Sequence, residues 1–163
     1  AAEGLQDKYK SKCKGVDKCP TVPETVNSYQ DDDGCPDSAV QVTDDALVIL
    51  QQVNFVFNKS VIVKDSFPLL SEVAKVLKEY PRIKLVSVEG HTDLHGKPGP
   101  NMKLSQGRVT AVMKFLIKAG IDKKRLTTKA WGMTKPLITP EKTPDDAAKN
   151  RRVELKILQQ DPK

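Results

Sequence analysis

The sequence predicts an α/β fold with the element order β-α-β-α-β-β, an α+β sandwich in which two helices cover one face of a mixed four-stranded sheet. Two observations carry this prediction. Segments of alternating apolar residues open and close residues 46–158, a pattern typical of half-buried strands. Between them, apolar residues recur at helical spacing in two segments, one after residue 65 and one after residue 100. Residues 159–163 are expected to be a short tail.

The first half of this order begins with a strand over residues 47–57, where apolar side chains alternate on one face. A helix is expected next, because Asp65 or Ser66 can cap its start and Pro68 suits its first turn. Pro81 ends the helix, since proline cannot continue it.

The second half begins with a strand over residues 83–89, followed by a second helix over residues 101–119. Residues 126–132 and 151–158 are the third and fourth predicted strands. The residues between them contain several prolines, which favours a loop with one short helical turn over residues 136–149.

The chain of 163 residues has a net charge of +6, but its charge is unevenly distributed. Residues 1–45 hold 5 Lys against 10 Asp and Glu, whereas residues 46–163 hold 22 Lys and Arg against 11 Asp and Glu. An acidic arm, residues 1–45, is therefore predicted to precede a basic domain, residues 46–158. The basic residues are spread over helices and loops, so nucleic acid is not expected as a partner. No apolar run approaches the roughly 20 residues of a membrane span, so a membrane is expected only through an N-terminal anchor or barrel outside this sequence.

The acidic arm contains all three cysteines of the chain, Cys13, Cys19 and Cys35. Cysteines confined to a short segment with few apolar residues favour a disulfide and an oxidising compartment. A bond between Cys19 and Cys35 would remove chain entropy worth about 3 kcal/mol. Carboxylates cluster around these two cysteines, and such oxygens are the ligands that Ca²⁺ prefers. The candidate Ca²⁺ ligands are Asp17, Asp31, Asp33 and Asp37.

This Cys-Pro and Asp-rich pattern resembles the thrombospondin type 3 repeat, a Ca²⁺-binding linker. The alternating acidic pattern of that repeat is compressed here into residues 31–34. The resemblance implies a linker with possible Ca²⁺, and a solvated spacer with one disulfide is the simpler alternative.

The segment best suited to bind a ligand follows the second predicted strand. Asp93 lies just past the end of that strand, where α/β proteins often bind ligands, and Arg108 lies in the first turns of the next helix. The Gly- and Pro-rich loop between them lets the chain double back, so the carboxylate and the guanidinium can stand side by side. The pair is either a plain salt bridge or a site for a zwitterion, whose ammonium would bind Asp93 and whose carboxylate would bind Arg108.

The sequence gives less support to two catalytic arrangements, a metal site and a serine nucleophile, than to the Asp93–Arg108 site. His91, Asp93 and His95 could begin a metal site, but no third His, Cys or second carboxylate motif accompanies them. Ser105 is close in sequence, but no residue is marked as its base. We therefore expect no enzymatic activity.

Five short motifs follow one another in order within residues 46–158. They are Phe55-Val56-Phe57-Asn58-Lys59-Ser60, Glu89-Gly90-His91-Thr92-Asp93, Asn101-x-x-Leu104-Ser105-x-x-Arg108, Gly120-Ile121 with Arg125-Leu126, and Asn150-Arg151-Arg152-Val153-Glu154. Together they closely resemble the OmpA-like C-terminal domain, which is also found in the peptidoglycan-associated lipoprotein and in flagellar stator proteins.

The resemblance implies non-covalent binding of peptidoglycan through the diaminopimelate of its stem peptide, with no cofactor required. Asp93 matches the ligand for the diaminopimelate ammonium, and Arg108 matches the ligand for its carboxylate. The other residues that match pocket positions are Asn58, Thr92, Asn101, Leu104 and Arg151. The implied role is to anchor the outer membrane of a Gram-negative bacterium to its cell wall, at the periplasmic face of that membrane.

The sequence departs from the family pattern at two places. Residues 146–148 read Asp-Ala-Ala where the family often has Gly-Arg-Ala, so any contact from that Arg is lost. Gly107 lies inside the second helix and should cost about 1 kcal/mol of stability. Two other functions stay open: a Ca²⁺-dependent structural or adhesion module of the cell envelope, and a metal-dependent cell-wall hydrolase. The oligomeric state does not follow from the sequence.

Overall fold

A computed structural model of the chain describes residues 39–49 and 51–162. Within them, helices and a mixed β-sheet form one compact unit. The strands are β1 (Val40–Val42), β2 (Ala46–Ile49), β3 (Ile83–His91), β4 (Leu126–Gly132) and β5 (Val153–Gln160). The α-helices are α1 (Phe67–Glu79), α2 (Pro98–Lys118) and α3 (Pro144–Asn150).

The sheet has the spatial order β1-β2-β5-β3-β4. β3 and β4 pair in parallel, and the other neighbours are antiparallel. The predicted α/β class with a mixed sheet is thus confirmed. The predicted number of four strands is wrong, because the described residues form five.

The fifth strand comes from a hairpin that the sequence analysis missed. β1 pairs with β2 through Val40 and Ile49 and two further residue pairs, so the sheet begins before residue 46, where the domain was expected to start. A strand of three residues is too short to show a reliable alternation of apolar residues, and it lies in the range assigned to the acidic arm.

The first predicted strand was also too long. β2 ends at Ile49, and Phe55 then forms an isolated antiparallel bridge with Ile62. Val53 and Phe55 still pack on the core, which explains why the apolar alternation continues beyond the strand. Residues 55–62 form a tight turn, closed by a 2.8 Å hydrogen bond from Val56 N to Val61 O. We call this segment the 55–62 turn.

The helices follow the sequence pattern with local differences. Ser66 precedes α1 without capping it, because its hydroxyl accepts a hydrogen bond from Asn54 N at 2.8 Å. α2 begins at Pro98, before the predicted residue 101, as expected for a proline in the first helical turn. Among the described residues, no helix is both long enough and apolar enough to cross a bilayer.

One hydrophobic core joins the two long helices to the sheet. Val86 and Val88 of β3 pack there with residues of α1 and α2, whereas Glu89, the next residue, points to the opposite face of the strand. Gly90 brings α2 close to β3, since a Cβ there would lie 2.6 Å from Val109 Cγ1 and 3.0 Å from Ser105 O. This close packing sets the start of α2 beside the end of β3. The core is formed by Val40, Leu47, Val53, Leu69, Leu70, Val73, Ala74, Val76, Leu77, Ile83, Val86, Val88, Val109, Val112, Leu116, Ile121, Leu126 and Leu155.

Candidate functional site

A cleft of about 690 Å³ opens where β3 ends. Its walls are the 55–62 turn, the loop after β3, the first half of α2 and the start of β5. All seven residues predicted to bind a ligand line it: Asn58, Thr92, Asp93, Asn101, Leu104, Arg108 and Arg151. The structure therefore brings these residues together, and their roles as ligands stay a prediction.

Asp93 carries the negative charge of the cleft. Its side chain is 18% exposed, and Oδ2 accepts a 2.8 Å hydrogen bond from Arg151 Nη1. Its other oxygen, Oδ1, accepts a hydrogen bond from the backbone N of His95 at 3.2 Å. The direct cationic partner of Asp93 is thus Arg151. A plain Asp93–Arg108 salt bridge, the simpler alternative from the sequence, is wrong, because no such contact within 4.0 Å exists.

Arg108 is a buried cation without an acidic partner. The residue is only 9% exposed, and within the described residues no carboxylate lies within 4.0 Å of its guanidinium. Nε donates to Lys59 O at 3.3 Å, and the guanidinium carbon lies 5.0 Å from the centroid of the Phe55 ring. Neither terminal nitrogen of Arg108 has a hydrogen-bond acceptor in the described part of the chain. The terminal nitrogens are not among the fully buried side-chain atoms that lack a partner, so they reach the cleft, where a ligand can supply an acceptor.

The charges around Arg108 act in opposite directions. Burial, followed by the nearby charge of Arg151, lowers the pKa of Arg108 from its usual value, whereas the charge of Asp93 raises it. The guanidinium stays protonated at any physiological pH. Arg108 therefore feels the charge of Asp93 without forming an ion pair with it.

Three of the predicted residues shape the cleft through the backbone. Thr92 is 2% exposed, and its hydroxyl donates to Asp93 O at 3.1 Å. Asn101 Nδ2 donates to His95 O at 2.7 Å and so fixes the loop after β3 to α2. Asn58 has a φ of 53°, a left-handed conformation that Asn adopts more readily than most residues, and it forms the tip of the 55–62 turn. Leu104 is half-buried in the α2 wall.

The residues that line the cleft and were missed as site residues include Gln52, Asn54, Phe57 and Arg152. Phe57 and Arg152 belong to motifs that the sequence showed, so their place in those motifs could have identified them. Gln52 and Asn54 precede the first motif and gave no signal.

The metal hypothesis for His91, Asp93 and His95 is not supported by their placement. The His91 side chain is 2% exposed, and Nε2 lies 3.8 Å from Glu154 Oε2, whereas neither ring nitrogen has a hydrogen-bond partner. Burial, together with the charge of Arg152, lowers the pKa of His91 to about 4. His95 instead lies near Asp93, with Nδ1 3.7 Å from Oδ1, and is 75% exposed.

Among the described residues, Glu89, His91 and Glu154 do place possible metal ligands within 4.8 Å of one another. The Lys156 ammonium already lies 3.2 Å from Glu89 Oε2 and 3.8 Å from Glu154 Oε2. Trp131 Nε1 also donates to Glu89 at 2.6 Å. Arg152 Nε lies 2.6 Å from Glu154 Oε1, so two protein cations face these two carboxylates and the cluster does not call for a metal.

The predicted features of the acidic arm lie outside the described residues. They are the Ca²⁺ ligands Asp17, Asp31, Asp33 and Asp37, and the cysteines Cys13, Cys19 and Cys35.

Ser105, the possible nucleophile, has a structural role. It is fully buried, and its hydroxyl donates to Met102 O at 2.9 Å and accepts from Gly132 N at 3.1 Å. Its oxygen thus links α2 to the end of β4 and is not presented to a substrate.

Known proteins share this architecture and sequence. Outer membrane porin F of Pseudomonas aeruginosa is 34% identical over 146 residues, which are 89% of this chain and 39% of that protein. The chain likewise spans less than two thirds of the length of the other leading curated relatives. The peptidoglycan-associated lipoprotein from Burkholderia pseudomallei superposes with a TM-score of 0.59 at 27% identity, covering 66% of this chain and 91% of that chain.

A second solved structure, the cell wall anchor of the T6SS from Pseudomonas aeruginosa, superposes with a TM-score of 0.62 at 26% identity. The superposition covers 74% of this chain and 87% of that chain. The model of the OmpA family matches residues 54–151, which include the whole loop after β3 and α2. The chain belongs to the OmpA family.

Proposed function

We propose that the cleft binds peptidoglycan non-covalently through the diaminopimelate of its stem peptide. In this role the domain anchors the outer membrane to the cell wall from the periplasmic side. The observation that carries the proposal is the buried Arg108, which has no acidic partner among the described residues and lines the same cleft as Asp93. The names of two relatives in structure, a peptidoglycan-associated lipoprotein and a cell wall anchor, point in the same direction.

The side chain of diaminopimelate ends in an ammonium and a carboxylate on one carbon. Arg108 offers its two terminal nitrogens to the carboxylate, and this fork geometry suits bidentate binding. Asp93 takes the ammonium, which joins or displaces Arg151 at Oδ2. Of the three arginines that line the cleft, Arg151 pairs with Asp93 and Arg152 pairs with Glu154. The positive charge of Arg108 is thus left to attract a carboxylate of the stem peptide.

The energetics suit a tether. Each charge-assisted hydrogen bond contributes roughly 1.5–3 kcal/mol net, so a few of them give modest affinity for one stem peptide. The wall is a continuous mesh, and a protein held beside it meets many such peptides at high effective concentration. Binding of this kind breaks no bond, so the proposal includes no catalytic residue and no cofactor.

Sedimentation with purified sacculi tests the proposal. Wild-type protein should appear in the pellet, and Asp93→Asn and Arg108→Gln should move it largely to the supernatant. Lys114→Gln is the matched control, because it removes one positive charge from an exposed position of α2 outside the cleft, and it should sediment as wild type does. Wild-type protein that stays in the supernatant would falsify the proposal.

The same assay separates the two other functions. Soluble wall fragments that disappear when a chelator is added would favour a metal-dependent hydrolase. Retention that depends on Ca²⁺ and survives Asp93→Asn would favour a Ca²⁺-dependent module led by the arm. Ca²⁺ binding by the arm and a Cys19–Cys35 disulfide stay predictions.

A further inference from the structure

We infer that Glu141, which does not line the cleft, positions Asp93 and Arg151 for binding through a hydrogen-bonded junction behind the cleft wall. The inference rests on the proposed function, because it concerns how that site keeps its shape. Glu141 lies between β4 and α3, in the loop where the sequence analysis placed no functional residue. Its side chain is only 4% exposed.

The first arm of the junction holds the loop of Asp93. Glu141 Oε1 accepts a 2.9 Å hydrogen bond from Leu94 N, the backbone amide next to Asp93. The loop's other hydrogen bonds include one within it, from His95 N to Asp93 Oδ1, and one from Asn101 of α2 to His95 O. They also include one from Thr92 N to Gly132 O of β4 and the one from Arg151 to Asp93. Glu141 is thus the contact that ties the loop to the segment before α3.

The second arm holds Arg151. The same oxygen of Glu141 accepts a 2.7 Å hydrogen bond from Asn150 Nδ2. Asn150 is fully buried, and its Oδ1 accepts from Leu137 N at 2.7 Å and from Ile138 N at 3.0 Å. Arg151 follows Asn150 directly and donates to Asp93 Oδ2 at 2.8 Å.

One carboxylate oxygen therefore joins the two chain segments whose ion pair faces the cleft. The second oxygen of Glu141, Oε2, is buried without a hydrogen bond and lies 3.2 Å from Nδ1 of the exposed His95. The side chain of Glu141 is long enough to place one acceptor oxygen within hydrogen-bond distance of both Leu94 N and Asn150 Nδ2. A ligand ammonium can share Asp93 with Arg151 only while these two segments keep their spacing.

Two conservative changes separate the effect of side-chain length from the effect of charge. Glu141→Gln keeps the length of the side chain and an oxygen acceptor but removes the charge. Glu141→Asp keeps the charge but is one methylene shorter, so it cannot satisfy both donors. If Glu141 acts through the position of its oxygen, the dissociation constant of Glu141→Gln should stay within about threefold of the wild-type value. Glu141→Asp should bind about tenfold more weakly, which is the loss expected for one hydrogen bond that involves a charged group.

The test measures the dissociation constant for a soluble stem peptide that contains diaminopimelate, by calorimetry at a temperature where every variant is folded. Val112→Ala is the control for stability alone, because Val112 is a fully buried core residue of α2 that does not line the cleft. It should lower the melting temperature and leave the dissociation constant unchanged. Hydrogen exchange of the Leu94 amide gives a second readout, and its protection should fall in the Asp variant but persist in the Gln variant.

Equal affinity of Glu141→Asp and wild type for the peptide would overturn the inference. An equal loss of affinity in Glu141→Asp and Glu141→Gln would also overturn it, because it would mean that the charge of Glu141 matters and not the position of its oxygen. Unchanged protection of the Leu94 amide in the Asp variant would also overturn it. Failure of wild-type protein to bind the peptide would instead defeat the proposed function, and the exchange of Leu94 would still report on the contact in the free protein.

Discussion

Replacing Gly107 by Ala tests whether the 55–62 turn must lie directly against α2. Gly107 is in α2, one residue before Arg108. A Cβ at this position would lie 2.2 Å from Ser60 Oγ and 2.9 Å from Ser60 Cβ. Rotation of the hydroxyl relieves the first contact but not the second, so the turn itself has to move.

The size of the effect follows from these distances. An ordinary contact begins at 3.4 Å, so the turn has to shift by about 0.5–1 Å. Ala gains about 1 kcal/mol over Gly inside a helix, while overpacking costs about 1–3 kcal/mol. The net loss of stability is therefore at most about 2 kcal/mol, which is less than the roughly 5–15 kcal/mol typical of a folded domain, so we expect the variant to fold. The hydrogen bond from Arg108 Nε to Lys59 O is already long at 3.3 Å, and the shift removes it.

We therefore expect Gly107→Ala to weaken binding of a soluble diaminopimelate peptide about tenfold, more than its effect on stability alone predicts. Adding Ser60→Gly removes both clashing atoms and should restore the affinity. Ser60→Gly alone is the control and should bind nearly as wild type does. Calorimetric titration of all four proteins gives a double-mutant cycle. Wild-type affinity in Gly107→Ala, or no rescue in the double variant, would refute this reasoning.

Three further predictions concern stability. His91 has a pKa of about 4 in the folded protein, below its usual 6.5, so the unfolded chain takes up the proton first as the pH falls. The free energy of unfolding should therefore be highest above pH 6.5 and fall by up to about 3 kcal/mol towards pH 4 in urea titrations. His91→Gln should flatten this pH dependence. Gly90→Ala should cost about 1–3 kcal/mol in the same titrations, because its Cβ meets Val109 and the backbone of Ser105; Val109→Ala should relieve part of that cost. The Arg125 guanidinium donates to three backbone carbonyls at the end of α1 and the start of β3. A lysine cannot bond all three, so Arg125→Lys should lower the stability of the fold by about 2 kcal/mol, measured by thermal unfolding.

Much of the fold was accessible to sequence reasoning where local patterns coincide with burial. α1 shows this well, because its apolar spacing and its bounding prolines are local signals that the tertiary structure does not override. The hairpin of β1 and β2 was not accessible, since three residues carry too little pattern. The apolar alternation through Phe55 made the first predicted strand too long, because alternation shows which side chains are buried and not which backbone groups pair.

The candidate site was accessible as a set of residues but not as a set of contacts. The motifs identify Asp93, Arg108 and Arg151, and the structure brings them to one cleft. Which cation touches Asp93 depends on a contact between residues 58 positions apart, and nothing local decides between Arg108 and Arg151. Glu141 was missed for a related reason, because its partners Leu94 and Asn150 come from two other segments.

Discrimination between two stem peptides tests most directly the claim that opposite charges in the cleft bind the two ends of one zwitterion. One peptide carries diaminopimelate, and the other carries lysine in its place, which keeps the ammonium and lacks the neighbouring carboxylate. Wild-type protein should bind the diaminopimelate peptide at least about tenfold more tightly, and Arg108→Gln should abolish the difference by weakening that peptide alone. Equal wild-type affinities for the two peptides, or a preference that persists in Arg108→Gln, would contradict the claim.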